Sequence, residues 1–136
     1  MKLYIRASLS KEEQFQIINE TNPAPEEMYT WIRSVDDIQT FQEAFENNRD
    51  GYSEGFTEDY TTEDMLAAIR TGKITVYSSY PIENGKFVTP SYMEAKSYGG
   101  SYGVYTATVD LDDIAWIDVD QGQVATNKKI NYKKIK

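Results

Sequence analysis

With no Cys and no His in its 136 residues, the chain has carboxylates as its main candidates for acid–base or metal chemistry. That absence excludes a thiolate nucleophile, a disulfide framework, a zinc–thiolate site, an imidazole base and a Ser-His-Asp triad. Glu54, Glu58, Glu83 and Glu94 are candidates for a glycosidase pair, but their spacing selects no two of them. Asp118-Val119-Asp120-Gln121-Gly122 has the beginning of a calcium loop. The match fails where an oxygen ligand is needed at the fifth position, held by Gly122, and a bidentate Glu at the twelfth, held by Lys129. The acids Asp110, Asp112, Asp113, Asp118 and Asp120 retain some power to attract a divalent ion, while a strand whose negative edges discourage edge-to-edge pairing accounts for them more simply. Neither GxGxxG nor GxxxxGK followed by Ser or Thr occurs, which removes the glycine-rich phosphate loops.

The elements that must position these groups follow from periodicity and caps. Residues 2–6 alternate as a short opening strand. Ser10-Lys11-Glu12-Glu13 is a capping box that starts a helix with Phe15 and Ile18 on one face, and Asn22-Pro23-Ala24-Pro25 ends it. Pro25 opens a second short helix carrying Met28, Tyr29, Trp31 and Ile32. Val35, Ile38, Phe41 and Phe45 recur at spacings of three to four behind Ser34, which predicts a helix over 35–47. Residues 48–60 combine glycines, acids and aromatics as an exposed loop. Thr61 and Thr62 cap a helix with Met65, Leu66 and Ile69 facing inward, and Gly72 stops it. The period then changes to two: Ile74, Val76, Ser78 and Tyr80 share one strand face, Glu83-Asn84-Gly85 turns, and 86–89 form a second strand. Ser91-Tyr92-Met93-Glu94 caps a short helix ended by Gly99-Gly100, and two more strands follow at 103–111 and 114–119. The expected architecture is α+β in a single domain over 1–136: a strand and acidic helices over 1–72, a strand-rich core over 73–127 and a Lys-rich tail over 128–136.

Charge is divided unevenly along the chain. Fourteen Lys and Arg face 22 Asp and Glu, for a net charge of −8. Residues 12–69 hold fifteen acids against Arg33 and Arg49, so that half repels nucleic acid. The last nine residues hold five Lys and no acid; the tail balances its own domain, lies against the acidic half or meets an external anion. No apolar run suits a signal peptide or a membrane span, and a cytoplasmic protein of a bacterial host cell, encoded by the bacterium or by a phage, is expected.

Three ordered elements carry a resemblance. Val76-Tyr77-Ser78-Ser79-Tyr80-Pro81, Gly85-Lys86-Phe87-Val88-Thr89-Pro90-Ser91 and Ala95-Lys96-Ser97-Tyr98-Gly99 resemble the central part of the mono-ADP-ribosyltransferase fold of phage and bacterial proteins, over about 50 residues within 74–123. The resemblance implies an Arg on the first strand for the phosphates of NAD, a Ser/Thr strand that orders the NAD site, and a late Glu that steadies an oxocarbenium-like sugar. Thr89 and Ser91 stand where the Ser/Thr motif belongs. Ser78 stands where the Arg belongs, and Gln123 takes the place of the Glu, so the triad is degenerate. An alternative alignment gives the phosphate role to Arg6 and lets Asp118 or Asp120 replace the Glu. Tyr77 and Tyr98, within a cluster that includes Tyr80, Tyr92, Tyr102 and Tyr105, would stack on nicotinamide or adenine. Ser91 also has a purely structural account as a helix cap.

Two functional expectations result. The first is a non-catalytic binding or inhibitory module of anti-restriction or anti-CRISPR type, with no cofactor. It would use Glu54, Glu58 and Asp59 against a basic, nucleic-acid-binding defence protein, touching neither nucleic acid nor membrane itself. The second is an active mono-ADP-ribosyltransferase or NAD-binding protein using Arg6, Thr89, Ser91 and Gln123. A phage structural or accessory protein with neither activity stays open.

Overall fold

Ser10 starts the first helix as its capping box requires: the Ser10 hydroxyl accepts the Glu13 N–H at 3.2 Å while the Glu13 carboxylate accepts the Ser10 N–H at 3.0 Å. The helix, α1, runs Lys11–Thr21. The computed structural model describes residues 9–21, 32–48, 59–99 and 103–135. The expected strand at 2–6 with Arg6, most of the helix opened by Pro25, and most of the loop over 48–60 with Glu54 and Glu58 lie outside the described residues.

The helix expected over 35–47 is two pieces, a 3-10 turn at Val35–Asp37 and α2 at Phe41–Asn48. Two features split it. Gln39 leaves the helical path to exchange backbone hydrogen bonds with Trp116 at 2.8 and 3.1 Å. Thr40 and Glu43 then form a fresh capping box, with bonds of 3.0 and 3.1 Å. Helix α3 spans Thr62–Thr71, capped reciprocally by Thr61 and Asp64 and closed by Gly72 at φ 74°. Its buried stripe is Met65 and Ala68, with Ile69 partly covered; Leu66 turns about 100° from Met65 and is 45% exposed, contrary to expectation.

Strand β1, Lys73–Ser78, buries Ile74, Val76 and Ser78. Tyr80 was expected on that face but lies beyond the strand end and is 68% exposed, its N–H turned onto the Ser78 hydroxyl at 3.2 Å. The strand expected over 86–89 is β2, Phe87–Val88, extended by a bridge from Thr89. Helix α4 is Tyr92–Gly99, β3 is Tyr105–Asp110, β4 is Ile114–Asp118, β5 is Gln121–Val124 and β6 is Lys133–Lys134. All pair antiparallel in two sheets, ordered β1-β3-β6 and β2-β5-β4, giving an α+β fold. One bridge, Tyr77 with Thr89, joins them among the described residues.

Strand β4 shows how both halves of the chain share one core. Ile114 and Trp116 face a cluster containing Phe41, Met65, Val76 and Val124, while Ala115 and Ile117 face Ile18, Ile32 and Ile38. Successive side chains therefore enter opposite layers, the period-two signature of a strand covered on both faces. Trp116 packs against Phe41 with ring centroids 4.8 Å apart, and its indole N–H reaches the Leu111 carbonyl at 3.2 Å. Gly122 lies opposite Trp116, where a Cβ would overlap Ile114 and Trp116. The backbone bonds from Gln39 cover the outer edge of β4. The Lys-rich tail is part of a sheet: β6 pairs with β3, and Lys128 reaches Asp110 at 2.6 Å and Asp113 at 3.6 Å.

Candidate functional site at the start of helix α4

The backbone between β2 and α4 is pinned twice. Tyr77 N–H donates to Thr89 O at 2.7 Å and Thr89 N–H returns to Tyr77 O at 2.9 Å, which sets Thr89 beside β1. The Ser79 hydroxyl donates to Ala95 O at 2.7 Å and ties α4 to the end of the same strand. Ser91 is fully buried, and its hydroxyl accepts the Glu94 N–H at 3.0 Å while donating to Asp59 at 2.7 Å. The second Asp59 oxygen accepts the Met93 N–H at 3.0 Å. A carboxylate from before α3 thus closes the N-terminus of α4, where negative charge is favoured.

The reciprocal half of the expected Ser91–Glu94 capping box does not form. Ser91 N–H goes to the Thr89 hydroxyl at 3.2 Å, which frees the Glu94 carboxylate to take the Thr89 hydroxyl at 3.5 Å and the Tyr98 hydroxyl at 3.3 Å. Tyr98 stands edge-on to Phe87, centroids 5.9 Å apart. Gln123 is directly opposite Phe87 on β5, so the two share a sheet face, and Gln123 is 5% exposed. Thr89, two residues beyond Phe87, belongs to that face as well. The structure therefore brings together Thr89, Tyr98 and Gln123, and adds Glu94, which the sequence offers only as one carboxylate among several.

Other expected site residues fall elsewhere. Ser78 points into the core, its hydroxyl engaged by the Tyr80 N–H. Tyr77 leaves the opposite face of β1, its ring edge-on to Tyr92 at 5.7 Å. The Asp59 carboxylate, expected to meet a partner, is occupied by α4. Arg6, Glu54 and Glu58 lie outside the described residues.

The electrostatics of the site are those of crowded carboxylates. Burial pushes the Glu94 carboxyl above its ordinary range, Asp120 and Asp59 push it the same way, and the bonds from Tyr98 and Thr89 oppose them. Asp120 is itself raised by burial and by Asp118. Burial and the Glu94 charge raise the Tyr98 phenol, keeping it a donor. Such a site can hold a proton on Glu94 or accept hydrogen bonds from a cation. It offers a diphosphate no counter-charge from any of these groups. No group of three or more carboxylates suited to a metal ion occurs among the described residues.

Compared with known proteins, the chain matches no family model, no curated protein and no solved structure. No described helix is long and apolar enough to cross a membrane.

Proposed function

We propose that the chain is a non-catalytic binding module whose acidic helices engage the cationic surface of a nucleic-acid-binding protein, as an inhibitor of anti-restriction or anti-CRISPR type in a bacterial cytoplasm. The observation that carries this reading is the exposed carboxylates of α1, the 3-10 turn, α2 and α3: Glu12, Glu20, Asp36, Glu46, Glu63 and Asp64 all face solvent, and the ion pair found on these elements among the described residues is Lys11 with Glu43 at 3.2 Å. Carboxylates spaced along helices steer a cationic partner over about a Debye length, roughly 8 Å in physiological salt. The site at α4 supports the non-catalytic side of the reading: the Thr89 and Ser91 hydroxyls already bond within the chain, and the charges acting on Glu94 are negative.

Retention of a purified DNA-binding protein fraction on the immobilised chain tests it. Retention should fall steeply with salt, yield to competing duplex DNA, and drop in an E12Q/E46Q/E63Q variant that folds normally. Salt-independent retention, or a variant that binds equally well, would overturn it. An NAD-binding reading rests on the grouping of Thr89, Tyr98 and Gln123 about Glu94; calorimetric binding of NAD that is lost in Gln123→Ala would favour that reading instead.

A further inference from the structure

Strand β1 is the outer strand of its sheet and has β3 on one side only. In an antiparallel strand the N–H and C=O of one residue point to the same side, and that side alternates along the chain. Tyr77 turns both groups away from β3, to Thr89, so Thr75 and Lys73 turn theirs the same way. Lys73 is served locally, because the Thr71 hydroxyl lies 3.4 Å from its N and from its O. Thr75 is exposed, and its backbone N–H and C=O have no hydrogen-bond partner among the described residues. Its side chain is turned to the Thr108 hydroxyl at 3.2 Å.

The neighbouring chain stops one pair short of it. Thr89 faces Tyr77, and Ser91 would face Thr75 if the pairing continued; instead Pro90 intervenes and the Ser91 N–H bends to the Thr89 hydroxyl at 3.2 Å. An open groove of about 350 Å³ remains along this edge, with Asp64, Ala67 and Thr71 of α3 on one wall, Pro90 on the other, and Thr75 between them. An unpaired strand edge is a template for another extended chain, and here the groove confines it.

We propose that this groove receives an extended basic segment of the partner, which adds to β1 as a short strand, exchanges N–H and C=O bonds with Thr75 and directs an Arg or Lys toward Asp64. The inference rests on the acidic-helix reading and specifies how the partner is held. Charge selects the segment. Asp64 is exposed; its Oδ2 serves the Thr61 cap, and its Oδ1 accepts no hydrogen bond among the described residues. Glu63 beside it is exposed as well, and Lys73, the cation that lines the groove, is drawn off by Asp110 at 2.5 Å. The short Ala67 and Ala68 side chains let a main chain approach, whereas a second copy of the protein would bring its own α3 into the same space.

The test titrates the isotope-labelled chain with the blocked peptide acetyl-Thr-Arg-Val-Lys-Thr-amide. In parallel it uses the same peptide N-methylated at its three central residues, which keeps the charge and removes the main-chain donors. The Thr75 amide, fast-exchanging in the free chain, should slow about tenfold at saturation, and the N-methylated peptide should bind about tenfold more weakly. A peptide with Glu in place of Arg and Lys should bind more weakly still. Thr75→Pro removes a donor that faces the open edge, a position where proline is tolerated, and should abolish binding while the Tyr77 and Thr89 amides stay protected. Should that variant not fold, the N-methylated peptide decides. Equal binding of the N-methylated peptide, unchanged exchange at Thr75, or a folded Thr75→Pro variant that binds as before would each overturn the inference. So would slow exchange at Thr75 without peptide that quickens on dilution, since a second copy would then hold the edge. If Thr75 ignores the peptide while DNA-binding proteins are still retained in a salt-sensitive manner, this inference falls and the acidic-helix reading stands; if retention fails too, both fall.

Discussion

Ser91 and Asp59, 32 residues apart in the chain, meet through a 2.7 Å hydrogen bond that fastens the start of α4 to the segment before α3. The same serine hydroxyl accepts the Glu94 N–H, so one small side chain holds a helix cap and a tertiary contact together. Ser91→Ala should cost about 1–2 kcal/mol in urea denaturation, the upper part of the range for a lost cap. Parent-like stability in the variant would mean that the contact contributes nothing.

Glu94 gives the stability curve a definite slope. Its folded-state carboxyl keeps its proton to higher pH than an unfolded one, chiefly through burial. Folding is therefore penalised as pH rises from the ordinary carboxylate range through the raised value, and unpenalised below it. Glu94→Gln removes the charge, so the variant should gain stability relative to the parent at neutral pH and lose that advantage in acid. Thermal melts across the pH range check this, and a stability difference independent of pH would contradict it.

Asp110 has the opposite sign. Its hydrogen bonds to Lys128 and Lys73 hold its carboxyl below the ordinary range, so their contribution is present above the unfolded value and lost as pH falls through the folded one. Both lysines are largely exposed, which limits the contribution. Lys128→Ala should cost under about 1 kcal/mol at neutral pH and nothing in strong acid. A larger loss would show that Lys128 matters mainly to the buried Asp113, whose carboxyl burial pushes up and Lys128 draws down.

Gly122→Ala places a methyl against Trp116 and Ile114, deep between β4 and β5. Overpacking of this kind costs about 1–3 kcal/mol. Chemical denaturation reads it directly, with an accompanying change in Trp116 fluorescence. A neutral substitution would require the Trp116 layer to be looser than the packing described.

What the sequence made legible was local. The Ser10–Glu13 box, the Thr61 cap and the Gly72 stop each depend on residues within a turn of one another, and each forms as read, with Asp64 completing the Thr61 cap as a box. The break at Gln39 depends on Trp116, far along the chain, though the Thr40–Glu43 box that restarts the helix was there to be seen. Thr89, Tyr98 and Gln123 could be named from the sequence, but the weight of Glu94 could not. Its role arises because Ser91 N–H chooses the Thr89 hydroxyl, and because the Asp120 charge acts on it from the β4–β5 turn. Leu66 went astray for a simpler reason: two adjacent apolar residues cannot both lie at the centre of one helix stripe.

The bridge between Tyr77 and Thr89 has a mechanical corollary. The two three-stranded sheets exchange strand-type hydrogen bonds at this one bridge among the described residues, and otherwise press together through the core that Ile74, Val76 and Val109 share with Val88, Trp116 and Val124. Thr89 also holds the Ser91 amide and the Glu94 carboxylate, so opening of the bridge would be felt at the entrance to α4. The amide protons of Tyr77 and Thr89 are thus built-in gauges: slow exchange at both reports an intact bridge, and selective exchange there reports a local opening of that seam.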